Sequence, residues 1–150
     1  MKKKLNSRRQ TEGELRWLER GLKTLGFFSK LTVAQLSTIL PYMTAGSSPK
    51  GHVVVKQGAS GDRFYLIKKG KVEVLRSGKK VAALGPGQFF GEMALLFKQP
   101  RSATVKCSAR CVLFSLGNAD LRRVMRKNPQ VGRQIKKIAE QRRLELEQRS

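Results

Sequence analysis

From Gly46 to Leu116 the chain is cut by glycines at intervals that leave room only for short strands. Gly46–Gly51 (GSSPKG), Gln57–Asp62 (QGASGD), Lys69-Gly70, Ser77-Gly78 and Gly85-Pro86-Gly87 all carry turn chemistry, because glycine accepts positive φ and proline fixes its own. The stretches between them, His52–Lys56, Phe64–Lys68, Lys71–Leu75 and Val81–Leu84, contain β-branched or aromatic residues. In Lys71–Leu75, Val72 and Val74 alternate with Lys71 and Glu73, the period of a strand with one wet face. Ser102–Cys107 and Cys111–Leu116 extend the series. This punctuation predicts an antiparallel β-barrel or jelly roll of about eight strands.

Helical periodicity flanks the strands, which makes the expected fold class α+β. Leu15, Leu18, Leu22 and Leu25 recur at three- and four-residue steps from Glu12 onward. A second helix opens at Thr32, with Gln35 as its capping-box partner, and stops at Pro41. After the strands, Asn118 can cap a helix carrying Leu121, Val124 and Met125. Asn128-Pro129 restarts the helix, with proline at the first helical position. In that last helix Val131, Ile135, Ile138 and Arg142 share one face, while Arg143 points about 100° away. Arg142 thus continues an apolar stripe. The expected organisation is a basic flexible arm at 1–10 and one domain over 11–150. That domain is helical at 11–41, a β-barrel at 42–117 and helical again at 118–148.

The chain carries 32 Lys and Arg against 10 Asp and Glu, a net charge of +22. Such an excess calls for anionic company, whether nucleic acid, acidic lipid, acidic protein or a phosphorylated ligand. Four acids serve residues 31–120: Asp62, Glu73, Glu92 and Asp120. No apolar run approaches the roughly 18 residues of a membrane span. The basic start MKKKLNSRRQ lacks the apolar segment of a secretory signal. Cys107 and Cys111, beside apolar strand sequence, read as reduced buried thiols. The expected compartment is the cytoplasm.

One stretch remains, Phe89–Val105, FFGEMALLFKQPRSATV. Gly91 permits close backbone approach. Glu92–Leu96 suits about one helical turn, and Pro100 forbids a longer one. Arg101 offers a planar fork for two phosphate oxygens, with the Ser102 hydroxyl beside it. Glu92 would repel a phosphate, so in such a site it needs other work, such as accepting a hydrogen bond from a sugar hydroxyl. The alternative is an ion pair between Glu92 and Arg101.

Phe90-Gly91-Glu92, Ala94-Leu95 and Pro100-Arg101-Ser102-Ala103-Thr104-Val105 closely resemble the phosphate-binding cassette of cyclic nucleotide-binding domains. Among these the chain is most similar to the cytoplasmic domains of bacterial cyclic-nucleotide-regulated potassium channels. The resemblance implies that Glu92 accepts from a ribose 2′-hydroxyl and that Gly91 and Ala94 give backbone contacts. It also implies that Met93 lines the site, and that Arg101 holds the cyclic phosphate with Ser102 and Ala103 around it. An arginine on the last helix reaches over the purine in that channel group, and here it falls on Arg142, so the last two helices would act as a lid. The implied ligand is cAMP. Cyclic GMP would be weaker, because Ser102 lies between the threonine that favours guanine and the alanine that goes with adenine. No cofactor and no metal are expected.

A metal-dependent jelly-roll enzyme would need a set of His and carboxylate ligands, and the chain has one histidine, His52. No catalytic residues are expected. The expected partners are the cyclic nucleotide and an effector protein or channel reached through the terminal helices, with a membrane involved only indirectly. Sequence-specific DNA is not expected, since no helix-turn-helix follows the last helix. Two alternatives stay open. One is a basic protein binding nucleic acid or acidic membrane through residues 1–9 and 122–143. The other is the sensor half of a cAMP-responsive transcription regulator lacking its DNA-binding module.

Overall fold

A computed structural model describes residues 11–24, 26–97 and 99–149, with the backbone alone at 27, 142, 143 and 145–149. Two compact units emerge, one spanning 43–118 and the other 11–42 with 119–149. The basic arm at 1–10 and Leu25 lie outside the described residues.

The described residues of the first unit hold ten strands: β1 (Thr44–Ser48), β2 (Val53–Val55), β3 (Ser60–Gly61), β4 (Arg63–Lys69), β5 (Val72–Arg76), β6 (Lys79–Leu84), β7 (Phe89–Phe90), β8 (Gln99–Pro100), β9 (Thr104–Cys107) and β10 (Cys111–Gly117). Two four-stranded antiparallel sheets run in the orders β1-β10-β4-β7 and β2-β9-β5-β6, and β3 pairs with β8. This is the expected α+β jelly roll. The eight or so expected strands resolve into ten, three of them two residues long.

Two local readings are corrected, the first being Ser60–Gly61, expected within a turn but held as β3 by pairing with Pro100 and Gln99. Gly46, Ser47 and Ser48 are not turn but the second half of β1, registered against Leu113, Val112 and Cys111 of β10. Their small side chains look like loop chemistry, yet Gly46 and Ser48 are buried. Pairing with β10, not local propensity, makes this a strand.

Val55, Tyr65, Ile67, Val72, Phe90, Val105, Cys107, Cys111 and Leu113 form a buried cluster among the strands. Both thiols are free and buried, as the sequence predicts. By contrast β6, at one edge of its sheet, is exposed from Lys79 to Ala83.

In the second unit, α1 (Glu12–Leu22) starts at Thr11, whose side chain accepts from the Glu14 amide while the Glu14 carboxylate accepts from the Thr11 amide. The α2 helix (Val33–Ile39) has the expected reciprocal cap of Thr32 and Gln35. Helices α4 (Asn118–Lys127) and α5 (Pro129–Arg149) break at Asn128-Pro129, and the Asn128 side chain donates to the Val124 carbonyl at 3.1 Å. Val131, Ile135 and Ile138 are at most 5% exposed, so the apolar stripe of α5 is buried.

Candidate functional site

The short helix α3 (Glu92–Leu96) lies directly after β7 in the first unit. Its entry is Gly91, at φ +84°, where an L side chain is strained. A Cβ there would also stand 2.6 Å from both Arg101 Nη1 and the Arg63 carbonyl oxygen. The glycine is therefore required by the protein's own packing, in addition to the open approach expected from sequence.

Arg101 follows β8, and neighbouring backbone fixes its position. Its amide donates to the Ala59 carbonyl and its carbonyl accepts from the Gly58 amide, both at 2.8 Å. Its Nη2 donates to the Arg63 carbonyl at 2.7 Å. The side chain crosses Gly61 so closely that a Cβ would overlap its Nε and Cζ. The guanidinium is thus lodged between two glycines, Gly61 and Gly91. Burial pushes its pKa down from the ordinary arginine value, while Tyr65 and Asp62 act to raise it. It remains a cation at any ordinary pH.

Behind the arginine, Tyr65 stacks on Phe90 with ring centroids 5.0 Å apart. Burial raises the Tyr65 pKa, against the lowering effect of Arg63 and Arg101. The Arg63 guanidinium points elsewhere, its Nη1 donating to Ser115 Oγ at 2.9 Å.

A cavity of about 400 Å³ opens at this point, within the usual range for small-molecule sites. Gly91, Glu92, Met93, Ala94, Arg101, Ser102 and Ala103 all line it. Glu92 is 8% exposed and Ala94 and Ala103 are buried, whereas Ser102 is exposed. Apolar Val55, Val74, Leu84 and Val105 line it as well. The cavity therefore offers groups for an anion and a hydroxyl together with apolar surface for a flat or apolar group. Arg142 lies on α5, and its side chain falls outside the described residues.

Three contributors were not singled out by sequence. Gly61 appears there only as part of a turn cluster. The Arg63 carbonyl is a backbone atom with no sequence signature. Asn118 reads as a helix cap, yet its Nδ2 donates to the Leu95 carbonyl of α3 and its amide to the Asp62 carbonyl, each at 2.7 Å. Asn118 therefore ties α3 to the segment that carries Gly61 and Arg63.

Among the described residues no group of three or more His, Cys, Asp or Glu side chains gathers to hold a metal ion. No helix there is long and apolar enough to cross a membrane.

A family model described as a cyclic nucleotide-binding domain matches residues 46–128. A cAMP-dependent protein kinase regulatory subunit of Eremothecium gossypii is 32% identical over 120 residues, covering 80% of this chain and 26% of that protein. A cyclic nucleotide-gated potassium channel of Mesorhizobium japonicum is 38% identical over 116 residues, covering 77% of this chain and 32% of the channel. The chain therefore spans about a third or less of the length of these two relatives. Among solved structures, the regulatory domain of Toxoplasma gondii PKA in complex with cAMP superimposes with a TM-score of 0.70 at 30% identity. That match covers 77% of this chain and 46% of the other.

Proposed function

The chain belongs to the cyclic nucleotide-binding domain family, and we propose that it binds a cyclic purine mononucleotide, cAMP in preference to cGMP, in the cavity between α3 and Arg101. The observation that carries this reading is the lodging of Arg101. A charged guanidinium is held at the wall of a half-open cavity by one backbone carbonyl, and its fork carries further N–H donors that can meet an anion. A cyclic phosphate matches that fork. Glu92, at the same cavity, accepts from the ribose 2′-hydroxyl, and Gly91, Met93 and Ala94 supply the surrounding contacts. Ser102 and Ala103 complete the phosphate wall. The apolar lining receives sugar and base.

The domain comprises residues 11–150, with α4 and α5 as its moving part. Closure brings Arg142 over the purine, and the ligand favours the closed state only by its greater affinity for it. The output is regulatory, passed to an effector or channel partner in the cytoplasm, and the domain itself performs no catalysis. The relatives named as a kinase regulatory subunit and a potassium channel support this reading.

Calorimetry of nucleotide-stripped protein with cAMP, cGMP and 5′-AMP tests it. Arg101→Ala and Glu92→Ala should each weaken cAMP, and 5′-AMP should bind poorly. Undiminished cAMP affinity in Arg101→Ala, or equal binding of 5′-AMP, would sink the assignment. Arg142→Ala should weaken cAMP where Arg143→Ala does not.

A further inference from the structure

The second unit contains a groove of about 510 Å³ where α4 and α5 meet at the Asn128-Pro129 elbow. Its rim is cationic. Arg122 and Arg126 come from α4, four residues apart, and Arg133 and Lys136 from α5, three apart. Such spacings keep each pair on one face of its helix. All four side chains are exposed, and among the described residues no carboxylate lines the groove. Like charges gathered this way repel and lower stability.

The floor differs in character. Met125, Pro129 and Gly132 are its apolar part; Gly132 is buried and Met125 half-buried, while Pro129 is exposed. A Cβ on Gly132 would come within 3.1 Å of the Met125 carbonyl oxygen, so the two helix backbones nearly touch at the base of the groove. A concave apolar floor inside a ring of cations asks for an occupant that is acidic and also carries an apolar group.

We propose that this elbow groove docks an acidic peptide segment of a partner protein, with one apolar side chain seated on Met125 and Pro129 and carboxylates on the four cations. Shape favours a peptide over the other polyanions. A bilayer surface is flat and would meet the rim but leave the floor empty. A nucleic acid backbone would use the cations yet has no apolar side chain to fill the floor. A peptide satisfies both, as anchor residues ringed by charge do at protein interfaces. This proposal is independent of the nucleotide cavity, since every residue it uses lies outside the cavity lining.

The test uses the full chain and a short fluorescein-labelled peptide of glutamates around a central leucine and phenylalanine, read by fluorescence anisotropy. Saturable binding is expected. The double variant Arg126→Glu/Arg133→Glu should weaken it by at least about tenfold, since it sets like charges face to face. Should that variant lose its cooperative melting transition, Arg122→Gln/Lys136→Gln replaces it, and a clear but smaller loss is expected. A peptide with serines in place of the apolar pair should also bind more weakly. Absence of saturable binding, or equal binding by the charge-altered variants, overturns the proposal. Tighter binding of single-stranded oligothymidylate or phosphatidylserine vesicles, lost in the same variants, would assign the groove to those polyanions and overturn it as well.

Discussion

Arg101 lies so tightly across Gly61 that the guanidinium stem occupies the space a side chain at 61 would fill. The two residues are forty positions apart, and the pairing of Gly61 with Gln99 brings them together. The site is therefore shaped by the absence of an atom as much as by the presence of a charge.

Gly61→Ala should cut cAMP affinity while leaving the fold intact. The Gly61 backbone lies outside the left-handed region, so alanine meets no conformational penalty there. Its methyl must instead push Arg101 off the Arg63 carbonyl. The displaced guanidinium then misses the ligand phosphate, and losing a hydrogen bond between charged groups is worth about 1.5–3 kcal/mol, a ~10- to 100-fold rise in Kd by calorimetry.

Gly91→Ala should behave differently, failing in stability as well as affinity. Its φ of +84° strains any L residue, and its Cβ would meet the rigid Arg63 carbonyl. A cost of about 1–3 kcal/mol is expected. Differential scanning fluorimetry should show Tm lowered by roughly 5 °C or more even without ligand.

Asn118→Ala removes a donor from the Leu95 carbonyl at the end of α3. Stability should fall by about 1 kcal/mol, read from urea unfolding. Asn118→Gln, with its amide set one methylene further out, should not restore the loss.

Burial first and the neighbouring Cys111 second push the Cys107 thiol up from 9.0 to about 12. The reactive thiolate is thus scarce in the folded protein. Labelling with Ellman's reagent at pH 8 should be slow in the folded protein and rapid on denaturation. Because the folded value lies above the ordinary one, the stability this thiol contributes is complete below pH 9.0. It declines as pH rises toward about 12. Cys107→Ser should flatten that alkaline loss.

What the sequence made legible was local. The Thr32 and Gln35 cap needs only residues three apart, and α3 was bounded by Gly91 before it and Pro100 after it. The cassette was readable because one contiguous stretch, Phe89–Val105, supplies twelve residues of the cavity lining. What stayed hidden depends on distant partners. Gly46 and Ser48 are strand because β10 lies beside them, and Gly61 matters because Arg101 crosses it. Asn118 looked like a cap, since nothing in its neighbourhood signals a carbonyl twenty-three residues upstream.

The strand β6 bears on a different property of the molecule. It is the edge of its sheet, exposed from Lys79 to Ala83, with Val81 half open to water. An open edge of this kind is a template on which a second copy can add a strand and start aggregation. Lys79 and Lys80 stand at its beginning, and Lys80 reaches Glu73 across the hairpin at 3.8 Å. A second chain laid parallel and in register along this edge would bring its own lysines against these. Part of the positive excess of the chain thus works between molecules, keeping identical copies from zipping together.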